Sequence, residues 1–554
     1  MLARMISAKR FITLGVVLAY TLCAAAAVPV SAQPAVGAAT ATPIKHVVIL
    51  FGENVSFDHY FATYPKAANP PDEPVFKAAP GTPAVNGLVT SHLLRNNPNF
   101  TNTANGADAA EPFRLDRTQA NTADQGHTYT AEEQAYDGGR ADLFPKYTGK
   151  GTTGGVGAFG TRGQVMGYFD GNTVTALWNY AQHFAMNDNA YTDTYGPSTP
   201  GALNVVSGQT NGMLTIATTK RAATVAAPSY FINDGQGGFT MINDVDPAAD
   251  ACSVKGDVAS MTGKNIGDLL NDGGVTWGGF MGGFDLTVKN PNGTIGCKRA
   301  TYSPIGVSLV TDYIPHHNWF AYYPSTANST HARPASMSAI GHSLDADGSR
   351  DPANHQYDLD DFYAAVKAGN FPAVSFVKAP AYQDGHAGYS NPLDEQTAIV
   401  TLLNFLAKRP EWKDTAVIVT WDDSDGWYDH AAARVTSPSY DAADQLTGDG
   451  LCGSGPALNG VSGKPVNGRC GPGTRIPFLV ISPWAKINAV SHTRISQASV
   501  VRFIEDNWLH GKRLGGGSFD ATAGSMMDMF DFRTGGHAPA LVLSPRTGLP
   551  VPTR

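Results

Sequence analysis

Two short polar pairs stand directly after apolar, β-branched runs: Glu53-Asn54 after His46–Phe51, and Asp422-Asp423 after Ala416–Trp421. Oxygen donors of this kind suit a hard divalent cation such as magnesium, calcium or manganese, and two such pairs can share one ion. Asn54 alone also suits a helix N-cap. The acidic run Asp422-Asp423-Ser424-Asp425 does not fit a calcium-binding EF-hand loop, because Trp421 stands where a ligand is wanted before Asp423 and no Glu closes the loop. A third feature is Ser198, in the run Tyr195-Gly-Pro-Ser-Thr-Pro-Gly201. Read locally, Ser198 caps a helix with Pro200 in its first turn. A serine there also faces unpaired backbone N–H groups that attract an anion, and a neighbouring cation would lower its hydroxyl pKa. Histidines in turn-like contexts complete the set: His127 after Gly126, His316 and His317 after Pro315, and His386 after Gly385. Charged imidazole donates to anionic oxygens and can protonate a departing alkoxide near neutral pH.

Elements must hold these residues together. The continuous apolar runs at His46–Phe51, Ala373–Val377, Ala416–Trp421 and Ile476–Ile481 predict strands buried on both faces. Helical periodicity predicts helices over Thr175–Met186, Glu395–Ala407 and Ser499–Leu509. Strands alternating with helices imply an α/β fold, a mostly parallel sheet covered by helices on both faces. In such a sheet ligands bind beyond the carboxyl ends of the strands, where both polar pairs stand. The Pro-, Asn- and Gly-rich stretches at 65–122 and 212–283 have weak periodicity and are expected to be insertions roofing the site of a single catalytic domain over 33–554.

The first residues, with Arg4, Lys9 and Arg10 before an apolar run from Phe11 to Ala27 and then Val30-Ser31-Ala32, have the order of a secretory signal peptide over 1–32. The apolar run is short for a membrane span, so an exported chain without a transmembrane segment is expected, periplasmic or released. Removing that segment takes three of 39 basic and none of 47 acidic residues and leaves a formal charge of −11. Such a surface does not invite nucleic acid. Export also makes disulfides the natural state of Cys252, Cys297, Cys452 and Cys470. Three connectivities are possible; the local one, Cys252 with Cys297 and Cys452 with Cys470, is preferred because each pair closes a loop rich in Gly and Asn. Nothing in the sequence reports an oligomeric state.

Taken together, Ile44–Tyr60, Asp188–Gly208, Pro315–Tyr323, Asp384–Pro392, Val417–His430 and Gly473–Trp508 resemble the bacterial phosphoesterase family that joins phospholipase C enzymes to respiratory-burst-inhibiting acid phosphatases. The resemblance implies an alkaline-phosphatase-like α/β core and one divalent metal ion. It makes Glu53, Asn54, Asp422 and Asp423 its ligands, with Ser198 completing the shell and acting as nucleophile. His127, His316, His317 and His386 would line the phosphate pocket. The phospholipase members commonly have threonine at the nucleophile and Asn-Arg after the next proline, where this chain has Ser198 and then Gly201-Ala202. The missing arginine also argues against a sulfatase, and the chain stops at Arg554 without the β-rich extension of longer phospholipases. The expectation is therefore an acid phosphatase acting on small phosphomonoesters through a phosphoserine. The alternative is a phospholipase C acting on phosphatidylcholine-type head groups, with Trp319, Tyr322 and Tyr323 as a cation-binding wall. A reading of another class is a metal-binding surface protein without catalysis.

Overall fold

The computed structural model describes residues 39–215, 230–253, 258–533 and 538–551. The signal-peptide reading of 1–32 lies outside them. The core is one eight-stranded sheet: β1 (His46–Gly52), β2 (Ala185–Asn187), β3 (Trp277–Met281), β4 (Gln356–Asp358), β5 (Val374–Lys378), β6 (Thr415–Trp421), β7 (Phe478–Ile481) and β8 (Ala489–Ser491). Their spatial order is 4-3-5-1-6-7-2-8. Every pairing is parallel except the two that β7 makes, with β6 and β2, so a single strand runs against the rest.

Burial follows from this order. All seven residues of β6 and the five central residues of β1 are buried, which requires cover on both faces and explains why these strands read as unbroken apolar runs. The principal flanking helices are α1 (Thr175–His183), α2 (Ser198–Ser207), α3 (Leu359–Lys367), α4 (Pro392–Leu406) and α5 (Ala498–Trp508). Helix α2 packs on α5, and α1 on α4. Register matters most at the centre. β1 and β6 pair from His46 with Thr415 to Gly52 with Trp421, so both strands end at the same level. Glu53-Asn54 and Asp422-Asp423 therefore leave the sheet side by side, one strand spacing apart.

Four expectations change. The helix expected to reach Met186 ends at His183, because Phe184 leaves helical geometry and Ala185–Asn187 pairs with β7 as a strand. Ser198 does not cap α2: it is the first helical residue, Pro197 precedes it, and its hydroxyl is drawn to a carboxylate instead. Asn54 does not cap a helix either; Ser56 caps the short helix Phe57–Phe61. The stretch 212–283 is not wholly an inserted roof. It contributes β3 to the main sheet as well as strands of a separate five-stranded sheet. The glycines disguised β3: a Cβ on Gly278 would lie 2.7 Å from the Phe280 ring and one on Gly279 3.0 Å from Phe320. The local disulfide connectivity is the one present, Cys252–Cys297 and Cys452–Cys470. No helix among the described residues is long and apolar enough to cross a membrane.

Candidate functional site

The ends of β1 and β6 and the start of α2 converge on Ser198. Its hydroxyl donates to Glu53 Oε2 at 2.8 Å, with Asp423 Oδ2 at 3.4 Å and Asn54 Oδ1 at 3.5 Å. All four side chains and Asp422 are buried. Two of the turns are held open by residues in left-handed backbone geometry, Asn54 at φ 65° and Asp425 at φ 56°, and the Asn54 amide donates to Asp425 Oδ1 at 3.0 Å. Asp422 Oδ1 accepts the N–H groups of Asn54 (2.8 Å) and Asp423 (2.7 Å). Its other oxygen, Oδ2, is buried without a hydrogen-bond donor among the described residues. Helix α2 approaches so closely that only glycine fits at 201, since a Cβ there would meet the Asp422 carbonyl oxygen at 2.2 Å.

These groups fit a divalent cation. One serine proton cannot serve three acceptors, and an orphaned carboxylate oxygen in a dry site wants a positive partner. Burial first, and then the charge of Asp422, push both Glu53 and Asp423 well above the usual carboxylate range. Burial also works against Asp422, but the close approach of Glu53, the nearby Lys378 charge and the Asn54 N–H hold it below that range. Three carboxyl groups with one lysine can all ionise only if further positive charge enters. Glu53, Asn54, Ser198, Asp422 and Asp423 are the residues that would hold it, through oxygen atoms that suit a hard ion.

Sequence reasoning missed Lys378. It is the last residue of β5, fully buried, and forms an ion pair with Glu53 Oε1. The only signal was a lysine closing an apolar run. It also missed Glu132, a buried carboxylate whose two oxygens accept from Gly196 N (3.0 Å) and Ser424 Oγ (2.8 Å), tying the chain before Ser198 to the chain after Asp423. Burial raises Glu132 to about 7.

The four histidines come from three separate loops and form a chain. Ring centroids are 4.6 Å apart for His316–His317, 6.2 Å for His317–His386 and 6.0 Å for His386–His127. His317 Nδ1 lies 3.2 Å from Glu53 Oε1, so this chain borders the carboxylate cluster. His127 Nδ1 lies 3.1 Å from Asp425, and His316 Nδ1 3.3 Å from Asp246. Their charge states differ. Burial opposes protonation at all four, but Asp423 and Asp425 raise His127 well above its ordinary value, and Asp246 raises His316. Burial, aided by the neighbouring His127, lowers His386 to about 4; burial and His316 put His317 lower than usual. Trp319, Tyr322 and Tyr323 are buried, with the tyrosine hydroxyls donating to Val245 O and Ser207 Oγ, so they pack in the core instead of walling a cation pocket.

Residues 44–509 match the model of the phosphoesterase family. Hemolytic phospholipase C from Pseudomonas aeruginosa is 23% identical over 91% of this chain and 58% of its own length. Non-hemolytic phospholipase C from the same species is 25% identical over 84% and 54%. Phospholipase C B from Mycobacterium tuberculosis is 23% identical over 89% and 78%. The chain thus spans little more than half the length of the two Pseudomonas relatives. Among solved structures, an alkaline phosphatase superfamily protein from Vibrio parahaemolyticus aligns at 13% identity over 63% of this chain and 62% of its own, with a TM-score of 0.26.

Proposed function

Starting from the premise that this chain belongs to the phosphoesterase family, we propose that it is an exported hydrolase of phosphoric esters with Ser198 as nucleophile. The observation that carries this reading is the Ser198 hydroxyl, at the start of a ten-residue helix and within 3.5 Å of Glu53, Asn54 and Asp423 oxygens. A divalent cation held there would lower the hydroxyl pKa and offset negative charge on the phosphoryl oxygens. The chain's own residues do the rest. At the α2 N-terminus Thr199 N–H donates to Asp244 Oδ1, Gly201 N–H to Pro197 O, and Pro200 has none, so the N–H of Ser198 is the one left to meet a phosphoryl oxygen. Ser198 Oγ attacks phosphorus, the bond to the leaving oxygen breaks, and water later cleaves the Ser198–phosphorus ester, releasing phosphate from a monoester or the phosphorylated head group from a diester. Of the four histidines, His127, which Asp423 and Asp425 raise against the effect of burial, suits the role of proton donor to the leaving oxygen better than His386, which burial lowers to about 4.

For the substrate, a phospholipid phosphodiester of the phospholipase C type is favoured over a small phosphomonoester, since the relatives from Pseudomonas and Mycobacterium carry that name across most of this chain. One observation speaks for the phosphomonoester: Gly201-Ala202 presents no arginine where a larger or more charged ester would find an anchor. Turnover of a soluble aryl phosphate monoester compared with release of phosphocholine from phosphatidylcholine vesicles separates the two. Lipid turnover that is lost in Ser198→Ala supports the phospholipase reading, and turnover of the monoester alone replaces it. Stoichiometric cation binding with no turnover of either would make this a non-catalytic metal-binding protein.

A further inference from the structure

A short antiparallel hairpin, Ala300–Ser303 with Ser308–Thr311, buries Ala300 and Val310 and turns Tyr302 and Leu309 to solvent. Tyr302 and Leu309 are directly paired across it, 54% and 56% exposed, and Val307 at its turn is 71% exposed. A monomeric surface does not gather large apolar groups on one finger without a use for them. Val307 adds to this, because its φ of 49° is a conformation that costs a β-branched residue and that glycine adopts freely. Charge points to the partner. From Leu286 to Thr311 the chain has no Asp or Glu and has Lys289, Lys298 and Arg299, within a protein of net charge −8. Arg299 is buried against Asp312 and Asp358, which leaves Lys289 and Lys298 exposed.

Position ties the finger to the site. Four residues past it the chain forms the turn Pro315–His317, so the hairpin and two site histidines are one continuous stretch. At the finger's turn, Ile305 O accepts from the Asn121 amide at 2.7 Å, in the loop that runs on to His127. Two residues further along that loop, Ala123 N donates to Thr152 Oγ1 at 3.0 Å, at the base of a second turn whose tip, Val156, is 89% exposed. Ser303 Oγ donates to Asp394 at the start of α4, fixing the finger to the core.

We propose that this hairpin is a lipid-docking finger: Tyr302, Val307 and Leu309 enter the interfacial region of a bilayer while Lys289 and Lys298 meet anionic head groups. Aromatic and aliphatic tips flanked by lysines are the chemistry that partitions into a membrane interface. The inference rests on the reading of the site as a phosphoesterase for lipid substrates, and it supplies how a hydrolase with a buried nucleophile meets a substrate that stays in a membrane.

The test is co-sedimentation of the full chain with vesicles, in a Ser198→Ala background so that the lipid stays intact. Vesicles of phosphatidylcholine alone are compared with vesicles that also contain phosphatidylglycerol. Binding should be stronger with phosphatidylglycerol and weaken with added salt. Combining Tyr302→Ser, Val307→Ser and Leu309→Ser should reduce partitioning by roughly tenfold or more. The same three changes in the active chain should leave soluble aryl phosphate turnover unaltered. Val307→Gly, which the backbone accommodates, is the second variant should the triple change impair folding, and it should weaken partitioning on its own. Unchanged partitioning of either folded variant overturns the proposal. So does light scattering that shows the variants splitting an oligomer, which would make a second copy of the chain the occupant. Failure of the active chain to hydrolyse any phosphate ester would remove the proposed function while the vesicle measurement still judges the finger.

Discussion

Replacing Gly201 with alanine places one methyl group between the two elements that form the site. Its Cβ would lie 2.2 Å from the Asp422 carbonyl oxygen, 2.7 Å from that carbonyl carbon and 2.9 Å from Asp422 Cα, whereas ordinary contact begins at 3.4 Å. All three are main-chain atoms, so no side-chain rotation relieves the overlap. The start of α2 and the end of β6 must separate by about 1 Å, and overpacking of this kind costs about 1–3 kcal/mol. Ser198 stands three residues earlier on the same helix, and a displacement near 1 Å of a reacting group can cost about 100-fold in rate. Gly201 has no positive φ to forfeit, which isolates the steric effect. Kinetics on an aryl phosphate, calorimetric titration with a divalent cation and thermal melting together check this. The expected result is kcat lowered roughly 100-fold and weaker cation binding, with only a modest fall in Tm. A lowered Tm with unchanged kcat would refute the claim that this contact sets the position of Ser198, and no change in either would mean that helix and strand yield freely.

Ser198→Ala should leave turnover at about one per cent of the original or less while the protein still folds, because only the attacking oxygen and one cation contact are lost; residual activity above a few per cent would move the nucleophile elsewhere. Asp422→Asn and Asp423→Asn should each lower bound cation, measured by elemental analysis, and lower activity with it, with partial rescue by added cation. Lys378→Met strands Glu53 in the interior, and chemical denaturation should register a loss of about 3–5 kcal/mol; unchanged stability would mean that the pair contributes nothing net. His59 is buried against Trp427, and burial lowers it to about 3 from an ordinary 6.5. Its unfolded form takes up a proton first as pH falls, so its contribution is intact above pH 6.5 and diminishes below it, by about 2 kcal/mol at pH 5. His59→Gln should flatten the stability difference between pH 7 and pH 5 by that amount, as read from denaturation midpoints at the two pH values.

The central strands β1, β5 and β6 were legible because burial on both faces leaves an unbroken apolar signature, and the polar residues that end β1 and β6 were legible for the same reason. The direction of β7 was not: a strand buried on both faces reads the same whether it runs with or against its neighbours. β3 was hidden because its glycines, which make room for the Phe280 and Phe320 rings, look like loop. Ser198 was legible as a helix-terminal serine, but its hydrogen bond to a carboxylate 145 residues away is encoded by no local pattern. The same holds for Lys378 and Glu132, whose partners are 325 and 64 residues distant. The histidines were noticed one at a time. That they form a single chain of rings is a property of three loops meeting, and spacing along the sequence carries none of it.

The oxygen side chains proposed to hold a cation sit on rigid ground, at the tips of adjacent strands and the first turn of a packed helix, whereas His127 and His386 sit on loops and His316 and His317 on a single 3-10 turn. The two halves are therefore free to change at different rates. On the proposed function, insertions or deletions around 286–311 would reshape what the site admits, and from which phase, while the residues proposed to hold the ion stay on their strand ends and helix; the loop at 121–127 is less free, because Gln125 N and His127 contact Asp425. A lineage built on this plan would keep its chemistry while its diet drifts, passing from dissolved esters to lipids through loop changes alone.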